Sequence, residues 1–311
     1  MKTVVTHPGS AHRDEFLSCC LLIAAGKVDC IQRRDCTEED LTASTYNDPH
    51  VIVLDQGGRH EPELLNFDHH QFPREADPAC SITLILTHIG INAEKARSIW
   101  DWLEFSELLD SKGPFATAEK LGSTPEAIFA GVSPIETTVL QWFEEINVLS
   151  SPEHSVAGFE SPDASLYVLM ERIGREKLDY LNEVVERHAF LDANAKIVEV
   201  DGLVVVDATC VPRDENPVMG LESWIQTNGR IRREFPGDTV AVTVTQDDRG
   251  HGVCLYRRND DPRIDFSALE GKTDVEFAHK GGFVAKLKRL DSQSPAGSYL
   301  KWKPFVQQSI V

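Results

Sequence analysis

The chain has 311 residues, enough for two domains that each bury a core, and its 41% apolar and 26% charged content is that of an ordinary soluble globular protein. No apolar run reaches the roughly 18 to 20 residues of a membrane span, and Met1 to His7 enter a strand-like run without a signal-peptide core, so a cytoplasmic protein with no membrane partner is expected. The net charge of −19 is unevenly spread: 16 Lys+Arg face 34 Asp+Glu through residue 199, a balance of −18, against 15 and 16 from residue 200 onward. Attraction to a long duplex is therefore expected to be weak, and an anion must be held by local features of the carboxyl-terminal part. Seven cysteines, an odd number without C-x-x-C spacing, read as small reduced core residues.

In chain order, Thr3-Val4-Val5 reads as a short buried strand that runs into His7-Pro8-Gly9-Ser10-Ala11-His12-Arg13-Asp14. An apolar helix over 16–25 follows, with Asp14 and Glu15 at its positive end. Residues 28–32 and 51–54 read as strands. Strand, helix, strand and strand at this spacing predict a parallel sheet with crossovers, which brings His7, Asp14 and Asp55 to the carboxyl edge where open α/β sheets bind ligands. Gly57-Gly58 permit a tight turn after Asp55, residues 61–67 lead into Asp68-His69-His70, and the polar, proline-bearing loop 71–78 makes a rim. Helical stretches are read around 81–88, 93–109, 124–130 and 135–146. Asp110 ends one of them before Gly113, where an acid opposes the helix dipole unless a cation lies close.

Residues 155–162 read as a polar connection, and 164–188 as a helix whose apolar stripe packs a core or spaces two domains. Beyond it the runs 197–200, 203–207, 240–245 and 252–256 are β-branched and strand-like, with one helix at 221–227. The expected fold class is α/β: a parallel-sheet metal-binding domain over 1–162, a connecting helix over 163–196, and a smaller mixed-sheet α+β domain over 197–311.

The His- and Asp-bearing segments offer neutral imidazole nitrogens and hard carboxylate oxygens, a set suited to Mn²⁺, Zn²⁺ or Fe²⁺. A lone His or Asp is more often a cap or a core group; three such segments at the ends of apolar runs read as one metal site. Two ions held close together polarise a phosphoryl group and lower the pKa of a shared water, giving a hydroxide nucleophile near neutral pH. Such a pair calls for a bridging carboxylate. Asp55, alone at a strand end before two glycines, fits that place, with His7 and His12 on one ion and Asp14, His69 and Asp110 on the other. Asp68 is expected to orient a ligand and His70 to face the substrate, so Asp55, Asp68 and His70 form the expected catalytic set.

These segments resemble the DHH phosphoesterase superfamily, and within it the MYG1-type branch of metal-dependent exonuclease-like proteins. That branch has a T-H-x-G-x-x-H-x-D-E opening, a V-D-x-G-G turn and a D-H-H-Q segment, which stand here as Thr6 to Glu15, Leu54-Asp55-Gln56-Gly57-Gly58 and Asp68-His69-His70-Gln71. Arg257-Arg258, Ile264-Asp265-Phe266-Ser267 and Phe277-Ala278-His279-Lys280-Gly281-Gly282-Phe283 look like the substrate-binding domain that follows a DHH domain. The resemblance implies a hydrolase of phosphoester bonds with two divalent ions, Mn²⁺ foremost, and a short oligonucleotide or small nucleotide as substrate. It also implies a substrate held across a cleft by Arg257, Arg258, His279, Lys280, Gly281 and Gly282. Chemical logic agrees, since His279, Lys280 and the glycines can bring positive charge and backbone N–H groups to a phosphate. A pyrophosphatase or phosphomonoesterase using the same ions, and a nucleotide-binding protein without turnover, are the alternatives; oligomeric state is left open. Two departures stand out: His12 occupies a place where many members have Asp, and Asp110 lies in Asp-Ser-Lys-Gly where the branch has Asp-Asn-Gly.

Overall fold

The computed structural model describes residues 2–43, 50–152, 164–236, 240–288 and 301–311, so the polar connection read over 155–162 lies outside the described residues. The chain divides into two compact units, Met1–Leu181 and Asn182–Val311.

The first unit contains β1 (Thr3–Thr6), α1 (Arg13–Ala24), β2 (Cys30–Arg33), α2 (Glu38–Thr42) and β3 (Val51–Leu54). Next come β4 (His60–Glu61), β5 (Asn66–Phe67), α3 (Ser81–His88), α4 (Ala93–Arg97), α5 (Leu103–Lys120), α6 (Pro125–Ala130), α7 (Pro134–Glu144) and β6 (Val148–Ser150). The strands form one six-stranded sheet in the order β4-β5-β3-β1-β2-β6. Its centre is parallel, with β1 paired in register to β2 (Thr3 opposite Cys30) and to β3 (Thr3 opposite Val51), and β5 parallel to β3. The two edge strands are antiparallel. A central parallel strand is covered on both faces, and β1 accordingly buries all four of its residues.

The chain leaves β1 for β2 on one side and later places β3 on the other side of β1. That reversal makes the carboxyl ends of β1 and β3 a topological switch point. His7 follows β1, Asp55 follows β3 and Asp68 follows β5, so three adjacent parallel strands deliver the candidate segments to one edge.

α5 runs beyond the expected helix end, to Lys120, but it breaks at Gly113, whose φ of 78° and ψ of 171° interrupt the turn before Pro114 restarts it. Asp110 thus sits in the last turn of the first segment. The helical stretch expected over 93–109 is two helices, because the chain turns between Arg97 and Leu103 to bury Ile99 and Trp100.

α8 (Ala164–Asn194) crosses from the first unit into the second. The second unit continues with β7 (Lys196–Val200), β8 (Leu203–Asp207), α9 (Leu221–Thr227), α10 (Gly229–Glu234), β9 (Val240–Gln246), β10 (Val253–Arg257), β11 (Val275–Ala278), β12 (Val284–Leu287) and α11 (Lys303–Gln307). Its sheet has the order β11-β12-β10-β9-β8-β7 and is antiparallel except for the β8/β9 pair, so it is mixed. One face buries Val205, Val242, Leu255, Phe266, Leu287 and Trp302, and the other packs Trp224, Ile225 and Ile231 against Val204 and Val206. Among the described residues no helix is long and apolar enough to cross a membrane.

Gly174 of α8 shows how tightly the first unit is packed. A Cβ at this position would stand 2.0 Å from the carbonyl oxygen of Cys20 on α1, a backbone atom with nowhere to go. Gly to Ala inside a helix ordinarily stabilises by about 1 kcal/mol through propensity. Here overpacking reverses the sign, and Gly174→Ala is expected to cost roughly 1 to 3 kcal/mol, read as a lower urea midpoint with an unchanged slope.

Candidate metal centre

The site begins with Asp55. It follows β3 with a φ of 56°, a left-handed conformation that Asp tolerates better than most residues, and its carboxylate is fully buried. The tight turn after it needs glycine. Gly57 has a φ of 91°, and a Cβ there would meet the Leu41 side chain of α2 at 2.8 Å. Gly58 donates its backbone N–H to Asp68 Oδ2 (2.6 Å), which ties the turn after β3 to the segment after β5. Asp68 Oδ1 accepts from the backbone N–H of His70 (3.0 Å) and stands 2.7 Å from His70 Nδ1. Asp68 therefore orients His70, whose side chain is 59% exposed beside the cluster.

Two histidines converge on Asp55. His7 Nε2 lies 3.5 Å from Asp55 Oδ2, and His69 Nε2 lies 3.2 Å from Asp55 Oδ1 and 2.8 Å from Asp110 Oδ2. His7 Nδ1 donates to the Pro8 carbonyl (3.0 Å), which leaves Nε2 to face the cluster. His12 caps α1 and Asp14 occupies its first turn, where the helix dipole favours an acid. Asp14 is buried, and Oδ2 takes two bonds from Ser81, from its N–H (3.2 Å) and its hydroxyl (2.5 Å), at the start of α3.

Three overlapping triads have ligand atoms within 4.8 Å of one another: His7, His12 and Asp55; Asp55, His69 and His70; and His12, Asp14 and Asp110. All six expected ligands, His7, His12, Asp14, Asp55, His69 and Asp110, thus lie in one cluster. Both oxygens of Asp55, Nε2 of His69 and Oδ2 of Asp110 are buried without a partner in hydrogen-bond geometry. Buried polar atoms seldom go unsatisfied, and here they face each other at ion-pair distance, so the donor set fits a divalent cation bound among them.

The charges are tuned accordingly. Asp55 and Glu15 raise the His7 pKa to about 10. Burial works against a charge on His69, yet Asp110 and Asp55 outweigh it and raise its pKa to about 10 as well. Burial, with the neighbouring Asp55 and Asp110 charges, raises Asp14 to about 7, whereas His69 and His7 overcome the burial of Asp55 and hold its carboxyl well below the usual range.

Glu15 belongs to this centre although no role was expected of it. It is fully buried, with Oε2 2.8 Å from His7 Nε2 and Oε1 accepting from Arg33 Nε (3.1 Å) at the end of β2. Its signal was present in the sequence as the last residue of the T-H-x-G-x-x-H-x-D-E run. Ser81 and Lys112 carried none. Lys112 Nζ donates to the carbonyls of Arg74 (2.6 Å) and Ala76 (2.7 Å), and with His69, His70, Arg74 and Asp110 it borders a hollow of about 130 Å³ next to the cluster.

The expected substrate-binding residues lie in the second unit. The turn between β11 and β12 carries His279, Lys280, Gly281 and Gly282, and Phe266 N–H donates to the Gly282 carbonyl (3.0 Å), which joins two of the quoted motifs. Gly282 has a φ of 69°, and a Cβ there would stand 2.1 Å from Asp265 Oδ1. Arg257 bonds the Ile264 carbonyl (3.1 Å), Asp260 (2.8 Å) and, at 3.4 Å, the Gly281 carbonyl. Arg258 is set apart from this turn: its buried guanidinium makes a bidentate pair with Glu222 at 2.8 and 2.6 Å.

Residues 3–89 match the MYG1_exonuc family model, described as Uncharacterised protein family (UPF0160). This segment holds every member of the cluster except Asp110, and its similarity to that family agrees with the resemblance carried by the motifs. No curated protein matches the chain. Among solved structures, RecJ from Thermus thermophilus in complex with Mn²⁺ is similar at 12% identity and a TM-score of 0.29, over 100% of this chain and 53% of that one. A DHH domain from a member of the s1p family of ribosomal proteins is similar at 13% identity and a TM-score of 0.29, over 99% of this chain and 85% of that one. The chain spans about half the length of the RecJ chain.

A ligand imidazole must be neutral, whereas His7 and His69 with pKa values near 10 hold protons at neutral pH. Each ion that captures one of them therefore expels a proton, so affinity rises with pH by about tenfold per unit per proton until pH approaches about 10. Calorimetric titration of Mn²⁺ in buffers of different ionisation enthalpy counts those protons. A count of zero between about pH 7 and 9 would contradict the assignment of these imidazoles as ligands.

Proposed function

We propose that the chain is a metal-dependent phosphoesterase that hydrolyses phosphodiester bonds of short oligonucleotides or small nucleotides. In this reading residues 1–162 form the catalytic domain, 163–196 a connecting helix and 197–311 a substrate-binding domain. The observation that carries it is the set of buried oxygens and nitrogen on Asp55, His69 and Asp110 that face one another at ion-pair distance outside hydrogen-bond geometry, at a parallel-sheet switch point. The match of residues 3–89 to an exonuclease-named family supports it.

His7 and His12 would hold one ion and Asp14, His69 and Asp110 a second, with Asp55 between them; Mn²⁺ suits this mixture of imidazole and carboxylate. When bound, such ions polarise a phosphoryl oxygen and make water a stronger nucleophile at neutral pH. The chain's own residues position the substrate. His70, held by Asp68, faces the small hollow beside the cluster, and Arg74 at its rim has no side-chain partner among the described residues. That hollow is on the scale of a phosphoryl group, so in this reading the scissile phosphate enters it and the nucleoside stays outside. In the second unit, His279 and Lys280 are the groups of the expected set that remain available to a phosphate.

Asp55→Asn is expected to lose at least one of about two bound Mn²⁺ ions and to lower kcat/KM on a dinucleotide by roughly a hundredfold or more. Full retention of both ions would remove Asp55 as the bridge, and hydrolysis that survives exhaustive chelation would overturn the metal-dependent reading. His279→Ala separates the two roles: kcat/KM should fall by about ten- to a hundredfold with metal content unchanged, the loss of one charge-assisted hydrogen bond. An unchanged kcat/KM would place the substrate contacts elsewhere.

A further inference from the structure

The second unit has a surface hollow of about 610 Å³ that the reading above leaves without a role. It is lined by Glu270, Val275, Glu276, Phe277, His279 and Lys280. Its size falls in the range of small-ligand sites. Phe277, on the edge strand β11, leaves 46% of its surface exposed, so apolar ring area remains to be covered. Beside it the His279 ring is fixed from several directions. Phe283 packs on it with ring centroids 4.1 Å apart, Phe277 meets it edge-on at 6.2 Å, and Gly281 N–H donates to Nδ1 (2.9 Å). With Nδ1 accepting, the neutral imidazole carries its proton on Nε2, which has no partner among the described residues and serves as an outward donor.

We propose that this hollow receives the base of a nucleotide, stacked on the Phe277 ring; the proposal rests on the nucleotide-directed reading of the chain and assigns its base site. A flat aromatic ring in a concave, charged surround suits a planar heterocycle better than an aliphatic ligand, because a base buries its π-face on the ring while its polar edge stays paired. The charges decide which end of the nucleotide enters. Glu270 and Glu276 have no side-chain partner among the described residues, and with Lys280 they leave the hollow net negative. A phosphate is disfavoured beside these two carboxylates, whereas exocyclic amino groups find acceptors in them, and His279 Nε2–H with Lys280 is left for the phosphate. The Gly281-Gly282 turn follows directly on the lining residue Lys280, so the sugar-phosphate would leave the hollow in that direction. Bases that carry an exocyclic amino group should therefore bind better than uracil.

Calorimetric titration of the full chain, with a chelator present so that nothing is turned over, tests this with three probes: adenosine 5′-monophosphate, uridine 5′-monophosphate and ribose 5-phosphate. The wild type should bind adenosine 5′-monophosphate about tenfold more tightly than ribose 5-phosphate, with the uridine nucleotide between them. Phe277→Ala should reduce the tenfold difference to about twofold or less, and Phe277→Tyr, which keeps the ring, should preserve it. Equal affinities in the wild type, a preference that survives Phe277→Ala, or a Tyr variant that behaves like Ala would each overturn the base site. Since no metal or turnover enters this measurement, an intact base preference combined with absent Mn²⁺-dependent hydrolysis would count against the phosphoesterase reading alone.

Discussion

A carboxylate buried without a hydrogen-bond donor sets the conditions for the whole first unit. Asp55 is fully enclosed, neither oxygen has a partner in hydrogen-bond geometry, and its backbone is held in the left-handed region. Burying such a charge costs several kcal/mol unless positive charge faces it, and the unusual backbone adds about 1 kcal/mol or more. The surrounding chain supplies the compensation. His7 and His69 approach from two flanking parallel strands, and both are held protonated by the acids around them. A divalent cation in the same place would satisfy those oxygens directly, which is why an arrangement costly for stability alone makes sense as a binding site.

The supports of that arrangement are as specific as the ligands. Glu15 sits between His7 and Arg33, so a buried ion pair at the end of β2 sets where the His7 ring can go. Arg33 also covers the Phe143 ring, 4.8 Å from its centroid, and donates to the Phe143 carbonyl (3.4 Å), which links the His7 side of the centre to α7. On the other flank Glu107 holds Arg97 (2.7 Å) and accepts from Thr83, bracing α5 against α3 and α4 one turn before Asp110. Removing one member of a buried pair leaves the other charge stranded, so these residues defend the geometry more strongly than their distance from the centre suggests.

Much of this was legible in the sequence, for identifiable reasons. Strands buried on both faces read as continuous apolar runs, so β1 and β3, and with them the sheet edge carrying His7 and Asp55, could be read directly from composition. Edge strands such as β6 and β11 lack that signal, and β11 exposes Glu276 and Phe277. Glu15 was visible in a motif, but its role depends on Arg33, which a sequence pattern cannot bring near. The Arg257-Arg258 pair shows a related limit. Neighbouring residues along a strand point to opposite faces, so the doublet divides, one side chain reaching the Gly281 turn and the other the Glu222 carboxylate of α9.

In the proposed reading, charge balance ties the centre to an anionic substrate. Asp14, Asp55 and Asp110 bring three negative charges to a site in which ligand histidines are neutral, within a part of the chain that is itself strongly acidic. One divalent ion would leave such a centre net negative, and an approaching phosphate would be repelled at short range. Two would make it net positive, and Arg74 and Lys112 at the neighbouring hollow add to the same side. Long-range attraction stays weak in either case, because the surrounding acids act over distances on which salt screens what remains. In the proposed reading such a site favours small or short anions that can reach its local positive field over a long polyanion spread across the rest of the surface.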